Sequence, residues 1–252
     1  MTQNKRVLFG FHAVTVRMKT SPDSVSEVHV DMSRKDQRMR QFLERAREAG
    51  VKLVESDDER LARLAGSPRH QGVVARVEAQ AHTHSLDDLL DGVDGPPLLL
   101  VLDGVTDPHN LGACLRVADG AGVHAVVAPK DHAAGISATV AKVSSGASES
   151  VPYFMVTNLA RILGELKERD ICVIGLAGEA EKSLYDVDLS GPVAFVLGAE
   201  GSGMRQLTRK TCDELVKLPM LGSVDSLNVS VASGVCLYEA VRQRERAFRK
   251  VT

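Results

Sequence analysis

The sequence predicts an α/β protein: a parallel sheet covered on both faces, preceded by a smaller α/β domain. Three observations carry this. From Leu98 onward, continuous apolar runs alternate with amphipathic helical stretches, as they must when strands are buried on both sides. Before Val77 the strand-like runs are shorter, and the one clear helical stripe is studded with arginine. Between them "EAQAHTHSLDDLLDGVDGPP", residues 78–97, turns to Asp, Gly, Pro and small polar residues, the composition of a connector. The expected division is a domain over 1–77, a linker over 78–97 and a second domain over 98–252.

In the first domain "VSEVHVDM" reads as a short strand with period two. "RKDQRMRQFLERAREAGV" places Met39, Phe42, Leu43 and Ala46 at i, i+3, i+4 and i+7 and ends in Gly50, so it predicts an amphipathic helix with Arg38, Arg40, Arg45 and Arg47 on its polar face. "VKLVES" and "HQGVVARVEA" predict two more strands. In the second domain "LLLVLD" is followed by a helix whose stripe is Leu111, Cys114, Leu115 and Ala118, then by the strand "VHAVVAP" and a helix near 137–145. Next come "PYFMV", the helix "LARILGELKER" with its Leu159, Ile162, Leu163 and Leu166 stripe, "ICVIGLA" and, as the last strand expected, "VAFVLG". A terminal helix begins near Val229 with Val231, Val235, Tyr238 and Val241 on one face.

Composition bounds the function. At 252 residues and 44% hydrophobic content the chain can bury a substantial core. No stretch approaches the roughly 18 uninterrupted apolar residues of a membrane span, and "MTQNKRVLFGFH" has no long apolar run with a cleavage site. A soluble, cytoplasmic protein with no membrane partner is expected. Cys114, Cys172, Cys212 and Cys236 lie far apart, without the close pairing of zinc sites. They are expected as buried, reduced thiols, and no metal is expected. The net charge of −2 hides an asymmetry: residues 1–77 carry 15 Lys/Arg against 10 Asp/Glu, the remainder 16 against 23. A basic module on an acidic body suits a division in which one part grips a polyanion, although ordinary solvated charge gives the same count.

Ligands of open α/β sheets collect beyond the C-terminal ends of the strands, and three loops there stand out. In "LDGVTDPHNLGACLRVADGAG", residues 102–122, Asn110 stands before the helical stripe, where it can serve as a cap. Arg116 falls off that stripe, either as a solvated surface residue or as a cation held for chemistry. In "VLGAEGSGM", residues 196–204, the glycines are spaced G-x-x-G-x-G and follow the last expected strand, unlike the dinucleotide fingerprint. Glu200 in its midst would repel a phosphate. A tight turn whose glycines supply positive φ is the plain alternative. In "LPMLGSVDSLNVSVASG", residues 218–234, Ser223, Ser226, Asn228, Ser230 and Ser233 crowd one turn. Gly222 and Gly234 are expected to allow close backbone approach, giving a pocket suited to a flat heteroaromatic ligand with a neutral or zwitterionic tail.

Together "DGVTDPHNLGACLRVADGAGV", "VLGAEGSGM" and "LPMLGSVDSLNVSVASGVCLYEAVRQR" resemble, in order, the three motifs of the SpoU (TrmH) family of RNA ribose 2′-O-methyltransferases, over roughly residues 98–245. "GFHAV" near the start and "HQGVVARV" before the linker resemble the branch that modifies a guanosine in the peptidyl-transferase region of large-subunit ribosomal RNA. The resemblance implies a SPOUT-type fold whose C-terminal part forms a deep trefoil knot, an exception to the unknotted rule, preceded by an RNA-binding domain. It implies S-adenosylmethionine as cofactor, held by Gly198, Leu218 and Leu227, with Gly201, Ser226 and Asn228 as close seconds. Arg116 is implied as the residue assisting catalysis, with Asn110 and Glu200 orienting it and the target nucleotide. It further implies a homodimer through the C-terminal domain. Two other readings stay open: a tRNA 2′-O-methyltransferase of the same family, and an RNA-binding ribosome assembly factor without activity.

Overall fold

The computed structural model describes residues 5–78 and 85–251. They divide into two compact units. The first begins with β1 (Lys5–Phe9), α1 (Phe11–Thr20), β2 (Val25–Val30), α2 (Gln37–Glu48), β3 (Leu53–Glu55), α3 (Asp58–Ala65) and β4 (Val73–Glu78). Its sheet has the order β1-β4-β2-β3, with β4 antiparallel to both neighbours and β3 parallel to β2. The helix expected from the arginine-studded stripe is α2. Asp36 caps it by accepting from the Met39 amide, Met39, Phe42 and Ala46 are buried, and Gly50 follows its end at φ 68°. β1, α1 and α3 were not legible in the sequence. α3 buries a single side chain, Leu61, and α1 buries an arginine among its apolar residues.

That arginine is Arg17. Its guanidinium donates to Ser24 Oγ at 2.7 Å, to the Glu78 carbonyl at 2.5 Å and to Glu149 Oε2 at 2.6 Å, and both side chains of the ion pair are 2% exposed. Glu149 comes from far along the chain.

The second unit starts with α4 (Leu86–Asp91), β5 (Leu98–Asp103), α5 (Pro108–Gly120) and β6 (Ala125–Pro129). Of the expected linker, residues 79–84 lie outside the described residues, and α4 occupies much of the rest, opened by a capping box between Ser85 and Asp88. After β6 the chain supplies α6 (Ala138–Val143) and α7 (Ala147–Ser150), which belong to the first unit. The sequence predicts this segment as part of the second domain. Packing assigns it otherwise through the Arg17–Glu149 pair and through Gly146, at φ 96°, where a Cβ would stand 3.0 Å from Val16 Cγ2.

The second unit continues with β7 (Tyr153–Val156), α8 (Leu159–Glu168), β8 (Cys172–Leu176), β9 (Lys182–Ser183), β10 (Val193–Gly198), α9 (Gln206–Thr211), β11 (Glu214–Lys217) and α10 (Val229–Val251). The seven strands run β7-β6-β5-β10-β8-β11-β9, and every pairing is parallel. β5 is buried at all six positions. Leu99, Val101, Val127, Ala194 and Val196 meet the α8 stripe on one face, while strand alternation turns Leu98, Leu100 and Leu102 to the other, where α10 packs on α5 and β10. β10 is not the last strand. β11, with a charged residue at each end, follows it, and β10 itself lies in mid-sheet between β5 and β8.

The apolar face expected of α10 corrects more sharply. Val231 and Tyr238 are each 52% exposed, whereas Val229, Ala232, Ser233, Cys236, Leu237 and Ala240 are buried. Small residues let α10 approach α5 closely: Ser233 Oγ lies 3.6 Å from Cys114 Sγ, and a Cβ on Gly120 would stand 2.9 Å from the Tyr238 hydroxyl. Of the cysteines, Cys114 and Cys236 are buried as expected, Cys212 is half-buried and Cys172 is exposed, being the first residue of its strand.

Candidate active site

The sheet order sets the site. With β10 beside β5, Gly198 pairs in register with Asp103, so the loops leaving these two strands are neighbours. Asp103 is buried and joins them, accepting the Arg205 amide at 2.8 Å and Arg205 Nε at 2.6 Å. The end of β5 thereby anchors the chain that follows the glycine turn.

In the first loop Asp107, not Asn110, caps α5, accepting from the His109 amide at 2.9 Å, with Pro108 in the first turn. Proline at this position starts the helix earlier than the apolar stripe suggests. Asn110, inside the helix, is left free to bond elsewhere.

The glycine loop is a tight turn. Ala199 and Gly203 bridge antiparallel, exchanging bonds of 3.2 and 2.9 Å, and Gly201 and Gly203 take φ 79° and 67°. Gly198 serves another purpose. A Cβ there would lie 2.0 Å from the Gly203 carbonyl carbon and 2.1 Å from the Met204 nitrogen. Its bare backbone thus admits the turn's own returning strand.

In the third loop Asn228 uses both ends of its amide. Oδ1 accepts from the Ser230 amide at 2.9 Å and from Ser230 Oγ at 2.6 Å, holding the first turn of α10. Because a backbone N–H can only donate, this fixes Nδ2 on the opposite side. There it donates to Asn110 Oδ1 at 2.9 Å and to Glu200 Oε1 at 2.6 Å. One side chain ties all three loops together. Ser230 and Ser233 are spent on the helix, the latter donating to the Val229 carbonyl at 2.8 Å. Nothing comes within 4 Å of a Cβ on Gly222, and on Gly234 it would meet Val117 at ordinary contact distance. Neither glycine is needed for close approach.

A cavity of about 620 Å³ opens between these loops. Gly198, Gly201, Leu218, Ser226, Leu227 and Asn228 all line it, as does Glu200. The turn after β8, Ala177 to Glu179, and Arg209 of α9 also line it; sequence reading missed both. The end of "ICVIGLA" was a visible signal, since it is the loop of the strand beside β10. The lining holds three carboxylates, Glu179, Glu200 and Asp225, and one guanidinium, which suits a cationic ligand and opposes a phosphate. Burial pushes the nearby Cys114 thiol up to about 11, against a lowering hydrogen bond from Ser233 and with the Glu200 charge adding to the rise.

Arg116 is not brought into this cluster. It is exposed on α5, six residues from Asn110, which is about 9 Å along the axis and on a different face. Among the described residues its side chain has no hydrogen bond or ion pair, and within the chain Glu200 bonds to Asn228 rather than to Arg116.

Comparison with known proteins identifies the relatives of the chain. The sequence matches the SpoU rRNA Methylase family over residues 97–238 and the RNA 2′-O ribose methyltransferase substrate binding family over residues 7–83. A Ralstonia nicotianae protein named 23S rRNA (guanosine-2′-O-)-methyltransferase RlmB is 63% identical, over 95% of this chain and 96% of its own. The protein of that name from Bordetella pertussis is 58% identical over 95% and 98%. Among solved structures, the SpoU methyltransferase AviRb from Streptomyces viridochromogenes in complex with the cofactor AdoMet matches with a TM-score of 0.78 and 27% identity, over 95% of this chain and 90% of its own.

Proposed function

The chain belongs to the SpoU rRNA methylase family, and on that premise we propose that it methylates the ribose 2′-hydroxyl of a guanosine in 23S ribosomal RNA, with S-adenosylmethionine as donor. The observation that carries the reading is the single cavity that gathers all six residues expected to hold the donor, beside the Asn110–Asn228–Glu200 cluster.

The cavity fits the donor on its own construction. Its volume lies within the roughly 300–1,000 Å³ of small-molecule sites. Leu176, Leu197, Leu218 and Leu227 offer apolar walls to an adenine, and the excess of carboxylates offsets a sulfonium. Gly198, Leu218 and Leu227 would hold the adenosine mainly through backbone groups, with Gly201, Ser226 and Asn228 beside them. Bound there, S-adenosylmethionine supplies an electrophilic methyl group.

The protein's part is positioning and charge. A guanidinium rarely gives up a proton, so Arg116 acts by orienting the target phosphate and by stabilising negative charge that grows on the 2′-oxygen as the hydroxyl proton passes to water. Asn110 and Glu200 orient the nucleotide. Because Arg116 stands apart from its own chain's cluster, its station is the cavity of a second copy, in a homodimer formed through the second domain. The outward Val231 and Tyr238 of α10, with exposed Leu221 and Val224 in the preceding loop, support that interface. The passage of the chain from β10 through β11, which pairs with β8, to α10 on α5 supports a trefoil knot. The first domain grips the RNA, for which exposed Arg40, Arg45 and Arg47 of α2 are suited. No helix among the described residues is long and apolar enough to cross a membrane. A ribosomal RNA substrate, as named for the relatives, implies work in the cytoplasm.

Arg116→Ala tests the reading. Turnover on 23S RNA should fall by about 10²–10³-fold, as for loss of one group that stabilises developing charge, while the donor affinity measured by calorimetry stays within about twofold. Equal loss of both would make Arg116 structural and overturn its role.

A further inference from the structure

The charged groups around the cavity differ in what they already hold. Glu200 accepts from Asn228, and Arg209, the single cation of the lining, is paired with Glu179. The two partners stand on separate elements. Glu179 sits in the turn that leaves β8, closed by the Ala180 amide bonding to the Ala177 carbonyl at 3.1 Å. Arg209 sits on α9, whose entry is fixed by the Arg205 bonds to buried Asp103. Asn110 follows β5 and Glu179 follows β8, with β10 between them. Two strand spacings, about 10 Å, therefore separate the strand that leads to Asn110 from the strand that leads to Glu179.

We propose that the Glu179–Arg209 pair is the subsite for the amino-acid end of the methyl donor, Arg209 taking the α-carboxylate and Glu179 the α-ammonium. The inference rests on the reading of the cavity as the donor site. Its argument is charge matching. The donor carries two positive centres and one anionic group, and the lining offers one cation to receive that anion. Arginine meets a carboxylate with two parallel hydrogen bonds. Inserting a zwitterion between Glu179 and Arg209 replaces one ion pair by two, so no charge is stranded. Opening the pair costs little, because Arg209 is 40% and Glu179 60% exposed, and ion pairs open to solvent contribute weakly. The leucine-lined part of the cavity is left for the flat, neutral end of the ligand.

The experiment is calorimetry of the full chain and its Arg209→Gln and Glu179→Gln variants with two probes, S-adenosylmethionine and 5′-methylthioadenosine, which keeps the adenosine but lacks the amino-acid end. Loss of charge-assisted hydrogen bonds predicts about a ten- to hundredfold weaker affinity of Arg209→Gln for S-adenosylmethionine, a smaller loss for Glu179→Gln, and affinity for methylthioadenosine within about twofold of wild type in both. Retained methylthioadenosine binding also shows that the cavity is intact. Equal weakening toward both probes, or unchanged affinity for S-adenosylmethionine, overturns the subsite. Failure of the wild-type protein to bind either probe overturns the reading of the cavity itself.

Discussion

Two glycine turns, one in each unit, use the same backbone device to different ends. In the first unit Gly10, Gln71 and Gly72 have φ of 88°, 57° and 79° where α1 begins and β4 approaches. There the polar groups are spent on the chain. The Gly10 amide donates to the Val73 carbonyl at 2.9 Å, the Phe11 amide to Gln71 Oε1 at 3.3 Å, the Gly72 amide to His70 Nδ1 at 3.1 Å, and Arg34 to the Gln71 carbonyl at 2.6 Å. In the second unit the Gly198–Gly203 turn closes only its base, through Ala199 and Gly203, and presents Glu200, Gly201 and Ser202 to the cavity. Positive φ builds a turn in both places. What separates a structural turn from a ligand-facing one is where its remaining polar groups point. "GFHAV" and "HQGVVARV" are thus, in good part, the seam of the first unit's fold.

The largest expected effect comes from closing the second turn's base. Gly198→Ala puts a Cβ inside the contact distance of the Gly203 and Met204 backbone, which cannot rotate away as a side chain can. It should cost about 3 kcal/mol or more of stability and abolish donor binding, read by thermal unfolding and calorimetry. Gly201→Ala meets nothing within 4 Å but keeps φ 79°, so it should cost only about 1–2 kcal/mol. If the two were equally harmful, crowding at Gly198 would add nothing to what backbone strain costs at Gly201.

Next in size is Asn228→Asp, which separates the turn's architecture from its chemistry. Aspartate caps a helix about as well as asparagine, so stability should change by no more than about 0.5 kcal/mol. Its carboxylate, however, cannot donate to Asn110 and stands against Glu200 Oε1 in place of a donor. Activity should fall by about a hundredfold, the scale for losing a positioned polar group in a site. A large drop in melting temperature would instead make Asn228 chiefly a cap.

Much of this was legible in the sequence, for physical reasons that also explain the rest. The apolar runs of β5, β6 and β10 and the stripes of α2 and α8 announce themselves because burial demands them at every position or at every turn. The residues lining the cavity were legible mainly through the three family motifs; residue type alone also picked out Ser230 and Ser233, which serve the helix, and Gly222 and Gly234, which no close approach requires. Arg17 gave no signal in the sequence, and the face of α10 was misread, because the pattern weighs residue type, not partner. An arginine is buried when Glu149 arrives from 132 residues away, and small residues form a buried face where helices nearly touch. Asn110 was read as a cap because the start of α5 is set by Asp107 and Pro108, ahead of the first residue of the stripe.

The smallest effect tests whether the first turn is sealed by side chains or merely tolerated. Gln71 is a non-glycine residue at φ 57°, a conformation that costs a side chain roughly 1–2 kcal/mol, and its Oε1 caps the first amide of α1. Gln71→Ala loses the cap and keeps the strain, so the first unit should be destabilised by about 1 kcal/mol. Gln71→Gly loses the cap and releases the strain, and the two should offset to within about 0.5 kcal/mol of wild type. Donor affinity should be unchanged in both, because Gln71 serves only its own unit. Chemical denaturation of the full chain reads the difference. Were alanine and glycine equally destabilising, the strain would be absent; were both neutral, the 3.3 Å bond to Phe11 would contribute nothing. In either case the first turn would owe its shape to Gly10 and Gly72 alone, and the contrast with the cavity-facing turn would narrow to the loop tip of Glu200, Gly201 and Ser202.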